Sequence, residues 1–375
     1  MFQAVAILLA LYVSWRIVLL LPLRPWLKGV LAALVLAASL HHRIVASFWG
    51  TRASPEIPGE LIMVLGWAFG AILLAACLLL LLDLASLAVW AVNRPAGRRW
   101  LAARTARAAV GAAALALSAL GVWQAVRVPD VKTLEVNLKG LPAELDGFRL
   151  AQLTDLHASR LLQGGWIRAV VDKTNALEPD LIVITGDMVD GSVTARLADV
   201  APLQDLAAPQ GVFAVVGNHE YYANYIQWIA HFKALGLRLL LNEHALITRD
   251  DAAFALAGIT DATAVQRGQP RPDVRAAMAG IPAGAPVILL SHRPAGAAVN
   301  AAAGADLQLS GHTHGGQILG LHKIVQMANE GFVSGVYQVG DMQLYVSNGT
   351  GLWAGLPLRI GRPSEITLIT LRRAP

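Results

Sequence analysis

Apolar positions crowd the first third of this chain in long unbroken runs, and after about residue 127 they fall into short bursts separated by polar turns. Leu61–Leu82 passes 22 residues without a charge, and Ala108–Val126 passes 19 with only small or uncharged interruptions. A helix rises about 1.5 Å per residue, so roughly 20 apolar residues cross the hydrocarbon core of a bilayer. Both runs are therefore predicted to be membrane helices. Phe2–Pro22 is apolar around Arg16, and Trp26–Trp49 carries Lys28 and the cluster His41, His42, Arg43. These read as two further helices, since no basic start and no small-residue cleavage site precede Arg24 as a signal peptide would require. The expectation is a membrane region over 1–127 with helices at 2–22, 26–49, 61–92 and 108–126.

Beyond Val128-Pro129-Asp130 the pattern becomes that of an α/β domain over 131–375, about 245 residues, enough for one large core. Thr133–Leu138 alternates like a half-buried strand. Five apolar runs then end in polar groups: "FRLAQLTD" at Asp155, "DLIVITGD" at Asp187, "GVFAVVGNHE" at Asn218, His219 and Glu220, "PVILLSH" at His292, and "ADLQLSGHTH" at His312 and His314. Helical patterns lie between them at 166–176, 198–206 and 225–235. Alternating strand and helix predicts sheets covered by helices, with ligands beyond the carboxyl ends of the strands. The hairpin "VYQVGDMQLYVS" and the closing "SEITLITL" are expected to complete a second sheet.

Charge adds orientation. Arg94, Arg98, Arg99, Arg104 and Arg107 follow the third expected helix, and Arg24 and Lys28 follow the first. The loop between the second and third has Arg43 and Arg52 beside Glu56 and Glu60. Basic loops stay cytoplasmic, so a four-span count predicts a multi-pass inner or cell membrane protein with its second half outside the cytoplasm. That sidedness is read with both early segments crossing. The net charge of +5 belongs to these flanks and shows no aromatic interleaving, so nucleic acid is not an expected partner. Cys77, the one cysteine, lies in a membrane run and forms no internal disulfide.

The polar strand ends gather Asp155 and His157, Asp187 and Asp190, Asn218 and His219, His292, His312 and His314, including five of the ten histidines. Oxygen and imidazole donors without thiolate suit Mn, Fe or Zn. A carboxylate can bridge two ions, and the donor count serves two metals, the arrangement that clamps both oxygens of an in-line displacement at phosphorus.

In order and spacing, "DLH", "GDMVD", "GNHE", "SH" and "GHTH" resemble the D-x-H, G-D-x-x-D, G-N-H-[DE], lone H and G-H-x-H motifs of the calcineurin-like metallophosphoesterases, over about 131–371. "GNHEYY", "GHTHGGQ" and "SNGTGLW" look like the subgroup carrying N-terminal membrane segments. The resemblance implies a four-layered α/β/β/α sandwich and two divalent ions. One would be held by Asp155, His157, Asp187 and His314, the other by Asp187, Asn218, His292 and His312. A hydroxide between the ions would attack phosphorus, with His219 as the catalytic histidine and Asp190 orienting it. Tyr221 and Asn348 are candidates to line the substrate.

Other residues carry plainer readings. His231 and His244 read as surface or packed histidines, and His322 as packed more readily than pocket-lining. Glu220 reads equally as support or as a solvated carboxylate, and Arg16 and Asp83 as a functional or a snorkelling pair. The expected function is a membrane-anchored phosphoester hydrolase acting on a phosphorylated small molecule, a phospholipid or a lipid-linked phosphate. The alternatives are a cytoplasmic-face pyrophosphatase on a nucleotide–lipid substrate and a non-catalytic membrane scaffold. Native metals, monoester or diester preference, oligomeric state and the number of early helices stay open.

Overall fold

The computed structural model describes residues 2–374, in two compact units. One takes the chain up to Gln124 together with Gly355–Ile360, and the other takes Ala125–Ala354 together with the chain from Gly361.

The first unit is helical: α1 (Phe2–Arg16), α2 (Pro25–Ser39), α3 (His41–Phe48), α4 (Gly59–Val92), α5 (Arg94–Ala102) and α6 (Arg104–Val126). Pro25 opens α2, where its missing N–H costs nothing. Asn93 caps α5, accepting from the Ala96 N–H at 3.1 Å. The expected second helix is two, α2 and α3, bent by 63° around Leu40. Among the described residues, three helical stretches, Gln3–Leu20, α4 and α6, are long and apolar enough to cross a membrane, or four if that bent pair is one span. The short segment 355–360 belongs to this unit for a steric reason. Gly66 on α4 and Gly121 on α6 leave room for Pro357 and Leu358, and a Cβ at either glycine would collide with them. Arg359 N–H donates to Gly121 O at 3.0 Å.

The second unit has two six-stranded mixed sheets. The first contains β1 (Asp130–Leu138), β2 (Arg149–Leu153), β3 (Leu181–Thr185), β4 (Val212–Val215), β5 (Arg238–Leu239) and β12 (Glu365–Arg373), in the order β1-β12-β2-β3-β4-β5. The second contains β6 (Glu243–Arg249), β7 (Ala252–Gly258), β8 (Val287–Leu290), β9 (Leu307–Ser310), β10 (Gly335–Val339) and β11 (Met342–Val346), in the order β10-β11-β9-β8-β7-β6. Side chains alternate between sheet faces. Leu150, Leu181, Val183, Phe213 and Val215 therefore meet Phe254, Leu256, Ile288, Leu290 and Leu309 between the sheets. Ala151, Leu153, Ile182 and Ile184 face outward onto α7 (Gly164–Asn175), α8 (Val193–Val200) and, past the short α9 (Asn218–Tyr222), α10 (Tyr225–Ala234). Ala255, Ala257 and Leu289 pack outward on helical residues Val274, Ala277 and Ala297. Helix, sheet, sheet, helix: these are the four layers expected.

One strand goes elsewhere. The hairpin β10–β11 joins the second sheet as expected, but β12 enters the first, parallel to β1 and antiparallel to β2. Its apolar residues serve two cores, Ile366 on the outer side and Ile369 and Leu371 between the sheets, which is what a strand inside a sheet requires.

Candidate metal centre

Five strands of these sheets, β2, β3 and β4 in one and β8 and β9 in the other, finish at one edge, and the loops that follow carry the polar groups. Asp155, His157, Asp187, His312 and His314 all have φ between +47° and +68°. Left-handed backbone is uncommon for residues with a side chain, costs about 1–3 kcal/mol each, and clusters at functional sites. The turn it imposes aims consecutive motif residues inward. Glycines allow the loops to touch: a Cβ on Gly217 would lie 2.7 Å from the Asp187 nitrogen.

Three groups of donor atoms each fit within 4.8 Å: Asp155, His157 and His314; His157, Asp187 and His219; Asp187, His292 and His312. Asp187 belongs to the second and third groups, and His157 joins the second to the first. Asp187 Oδ2 lies 3.8 Å from His157 Nε2 on one side and 3.1 Å from His292 Nε2 on the other. Asp155 Oδ1 is 3.9 Å from His157 Nε2 and 3.6 Å from His314 Nε2. The far nitrogens are anchored: His292 Nδ1 donates to Thr185 O at 2.8 Å, and His157 Nδ1 to Asp190 Oδ1 at 3.1 Å. Among the described residues, this leaves Nε2 of both rings buried and facing only the carboxylates, His292 at 3.1 Å from Asp187 and His157 farther off at 3.8 Å. Buried imidazole lone pairs aimed at buried carboxylates fit divalent cations, and the anchoring of Nδ1 is how metal-ligating histidines are oriented.

Burial pushes the Asp155 carboxyl up. Burial also opposes the charge on Asp187, but His292 and His219 outweigh it and hold its carboxyl well below the usual range. Burial works against His219 and His292 too, yet the neighbouring carboxylates raise them to about 9 and about 10. His312, buried beside His292 and Arg293, falls to about 3. In that protonation pattern, imidazolium charge neutralises the buried carboxylates, a task that cations would take over.

His219 stands at the rim. Its Nδ1 donates to Asp190 Oδ1 at 2.5 Å, its backbone N–H donates to Asp187 Oδ1 at 2.8 Å, and its Nε2 faces Asp187 Oδ2 at 3.9 Å. Glu220 is no solvated carboxylate. It is fully buried and accepts from the backbone N–H groups of Gly217 (2.7 Å), Met188 (2.7 Å) and Asp187 (3.2 Å), tying two motif loops together. Burial and Asp187 push it up to about 7 against those donors.

Tyr221 does not line the site. It is 3% exposed and stacks on Tyr225 with ring centroids 4.4 Å apart, because the short α9 turns it toward the core. Tyr222, 47% exposed and 5.0 Å from the His219 ring, faces the opening instead. Asn348 is nearly buried, and a Cβ on Gly315 would strike its side chain, so it braces the "GHTHGG" loop from behind. His322 packs in that region, its Nδ1 accepting from Gly320 N–H at 2.9 Å. His244 is bonded to Ala277 O, and His231 packs edge-on against Trp228.

Sequence reasoning passed over Arg293 and Asp261. Arg293 Nε donates to the buried Asp261 Oδ2 at 2.7 Å, while its terminal nitrogens reach His312 Nε2 (2.9 Å), Asn218 Oδ1 (3.1 Å) and Thr263 Oγ1 (3.4 Å). A signal existed: "FALAGITD" is another buried strand run ending in a carboxylate, like those before Asp155 and Asp187.

Two packed mixed sheets with a shared Asp and imidazole cluster at their strand ends define a metallophosphoesterase. The family model described as "Calcineurin-like phosphoesterase" matches residues 148–316. The chain is 35% identical over 305 residues to "Transmembrane protein with metallophosphoesterase domain" of Bos taurus, covering 77% of this chain and 68% of that one. It is 33% identical over 250 residues to an "Uncharacterized metallophosphoesterase" of Campylobacter jejuni, covering 66% of this chain and 64% of the relative. This chain belongs to the calcineurin-like phosphoesterase family. Among solved structures, a 5'-nucleotidase precursor from Thermus thermophilus aligns at TM-score 0.39 and 16% identity, over 60% of this chain and about half (54%) of its own length.

Proposed function

We propose that this chain is a membrane-anchored phosphoesterase working with two divalent ions, and that the position of Asp187 carries the assignment. One buried carboxylate stands between the buried Nε2 atoms of His157 and His292, so a single side chain can serve two ions at once. Asp155, His157, Asp187 and His314 form the donor set for one ion, and Asp187, Asn218, His292 and His312 the set for the other. Divalent ions held there supply Lewis acidity to phosphate oxygens and acidify water at neutral pH.

The remaining chemistry belongs to side chains. Arg293, held by Asp261, donates to Asn218 and contacts His312; with ions bound to those two groups, its terminal N–H groups would turn to a non-bridging phosphate oxygen. His219, fixed through Nδ1 by Asp190, keeps Nε2 toward the centre and gives its proton to the departing oxygen. Tyr222 flanks that exit. The substrate is a phosphate ester of a small molecule or of a lipid at the bilayer surface, where the spanning helices keep the chain.

The arginine-rich connector supports an extracytoplasmic catalytic unit on the four-span count, in which the bent pair α2–α3 crosses as one span. Arg94, Arg98, Arg99 and Arg104 come just before the apolar run of α6, and the α/β unit comes just after it. A cytoplasmic connector therefore places the catalytic unit outside the cytoplasm.

The test is hydrolysis of bis-p-nitrophenyl phosphate and p-nitrophenyl phosphate by the full chain in detergent with Mn, Zn, Mg or Fe. Turnover that needs metal and disappears in Asp187→Asn and His219→Ala is expected. Turnover that survives Asp187→Asn would sink the two-ion reading.

A further inference from the structure

We propose that the helical unit holds a second phosphate site, built from residues that are not part of the Asp187 cluster, and that it takes the head-group phosphate of an anionic phospholipid. A cavity of about 290 Å³ opens where α1 ends and α6 begins, lined by Arg16, Arg104, Thr105 and Arg107 together with Ile17 and Leu20. Three guanidinium groups face it. The nearby carboxylate, Asp83, is engaged already. It pairs with Arg16 through both Nε (2.9 Å) and Nη2 and accepts from Tyr12 Oη at 2.7 Å. Among the described residues, three arginines here share one carboxylate, an excess of two positive charges.

Arg107 is the residue that points to a ligand. It is 7% exposed, and its Nε has no hydrogen-bond partner among the described residues. Its charge lies close enough to feel Arg16 and Asp83, and the like charge of Arg16 repels it. A guanidinium in such a place is costly unless an anion meets it. The first turn of the 23-residue α6 adds backbone N–H groups and the positive end of a helix dipole at the same mouth.

The level in the bilayer fits a head group. The charge-free run of α4 stops at Leu82, one residue before Asp83, and that of α6 starts at Ala108, one residue after Arg107. The cavity therefore sits where hydrocarbon gives way to phosphate, on the arginine-rich side that attracts anionic lipid. Its lining is mixed to match: three arginines suit the phosphate, and Ile17 and Leu20 suit the glycerol and acyl chains. The assignment is independent of the phosphoesterase reading, since none of these residues belongs to the Asp187 cluster.

The experiment measures the thermal midpoint of the full chain in detergent with added phosphatidylglycerol, phosphatidylcholine or inorganic phosphate. Phosphatidylglycerol is expected to raise the midpoint by about 5 °C at saturation, with a much smaller effect of phosphatidylcholine. Arg107→Met is expected to fold, to raise the lipid-free midpoint because an unpaired charge has gone, and to lose the phosphatidylglycerol response; Arg104→Gln should weaken that response. Equal shifts from both lipids, or a full phosphatidylglycerol response in Arg107→Met, would overturn the site. A shift from inorganic phosphate matching that from phosphatidylglycerol would overturn the lipid assignment in favour of a soluble anion.

Discussion

Asp190 Oδ1 lies 2.5 Å from His219 Nδ1, and the same oxygen lies 3.1 Å from Nδ1 of His157. One buried atom thus orients a ring of the donor cluster and the ring at its rim, whose centroids are 4.5 Å apart in an edge-to-face pair. Asp190→Asn keeps the size but removes the charge and puts an amide N–H₂ where an acceptor stood. Turnover should fall about 10–100-fold, as for other groups that orient metal ligands. His219→Ala should fall about 10²–10⁴-fold while its bound metal is retained. If Asp190 acts through these rings, the double variant is little worse than His219→Ala alone. Steady-state kcat for the three, with metal content by mass spectrometry, decides it; multiplying losses would mean that the two residues act separately.

Arg293 should bind substrate without being needed for the donor cluster to assemble. Charge-assisted hydrogen bonds contribute about 1.5–3 kcal/mol each, so Arg293→Ala should reduce kcat/KM about 10–100-fold, mainly through KM. Arg293→Lys should recover part of this, because lysine restores charge but not the fork. Asp261→Asn should move KM in the same direction by less, having only loosened the guanidinium. An unchanged KM in Arg293→Ala would remove Arg293 from the phosphate-binding role.

The parts of the molecule legible in the sequence are those where one local pattern has one meaning. "LIVI" is apolar throughout because β3 is covered on both faces, and its carboxyl end had to reach the sheet edge. The donor residues followed from that edge, and so did their mutual proximity. "EITLITLRR" was legible as a strand, but nothing within it says which sheet it enters; that depends on β1 and β2, more than 200 residues away. The bend at Leu40 falls just before the cluster His41, His42, Arg43, which reads equally as the polar end of one helix or as a break within it, and the place of 355–360 among the helices depends on two distant glycines. Tyr221 and Tyr222 are adjacent with opposite fates, since the direction of a five-residue helix decides which one is buried. Arg293 was hidden by adjacency: beside a motif histidine, an arginine looks like any other loop charge until Asp261 is seen to grip it.

Glu220 should matter to folding as well as to the site. Its carboxylate accepts three backbone N–H groups from two loops, and a glutamine there keeps one acceptor oxygen while turning an amide N–H₂ on a buried donor. Leaving a buried donor unsatisfied costs about 1–3 kcal/mol. Glu220→Gln should lower the thermal midpoint by about 3–10 °C, with a loss of metal affinity as the Asp187 loop relaxes. A variant as stable as the parent would show that Glu220 only fills space.

Removing metal should destabilise the α/β unit, and the dependence should run through Asp187. Asp155, His157, Asp187 and His292 are all at most 2% exposed, and the first three stand on left-handed backbone, an arrangement that is costly without charge compensation. Ligand present at 100–1,000 times its dissociation constant stabilises a fold by about 2.7–4.1 kcal/mol. At about 2–4 °C per kcal/mol, stripping the full chain with a chelator should lower its midpoint by about 5–15 °C, and Mn or Zn should restore it. The imidazoles bind metal only when deprotonated, and His292 without metal is raised to about 10, so the metal-dependent increment should shrink progressively as pH falls below that value, from 9 toward 5. Asp187→Asn, having lost the shared carboxylate, should show a much smaller difference between stripped and loaded protein. Scanning fluorimetry of both proteins with titrated metal reads all of this, and an equal metal response in Asp187→Asn would mean that the ions bind elsewhere.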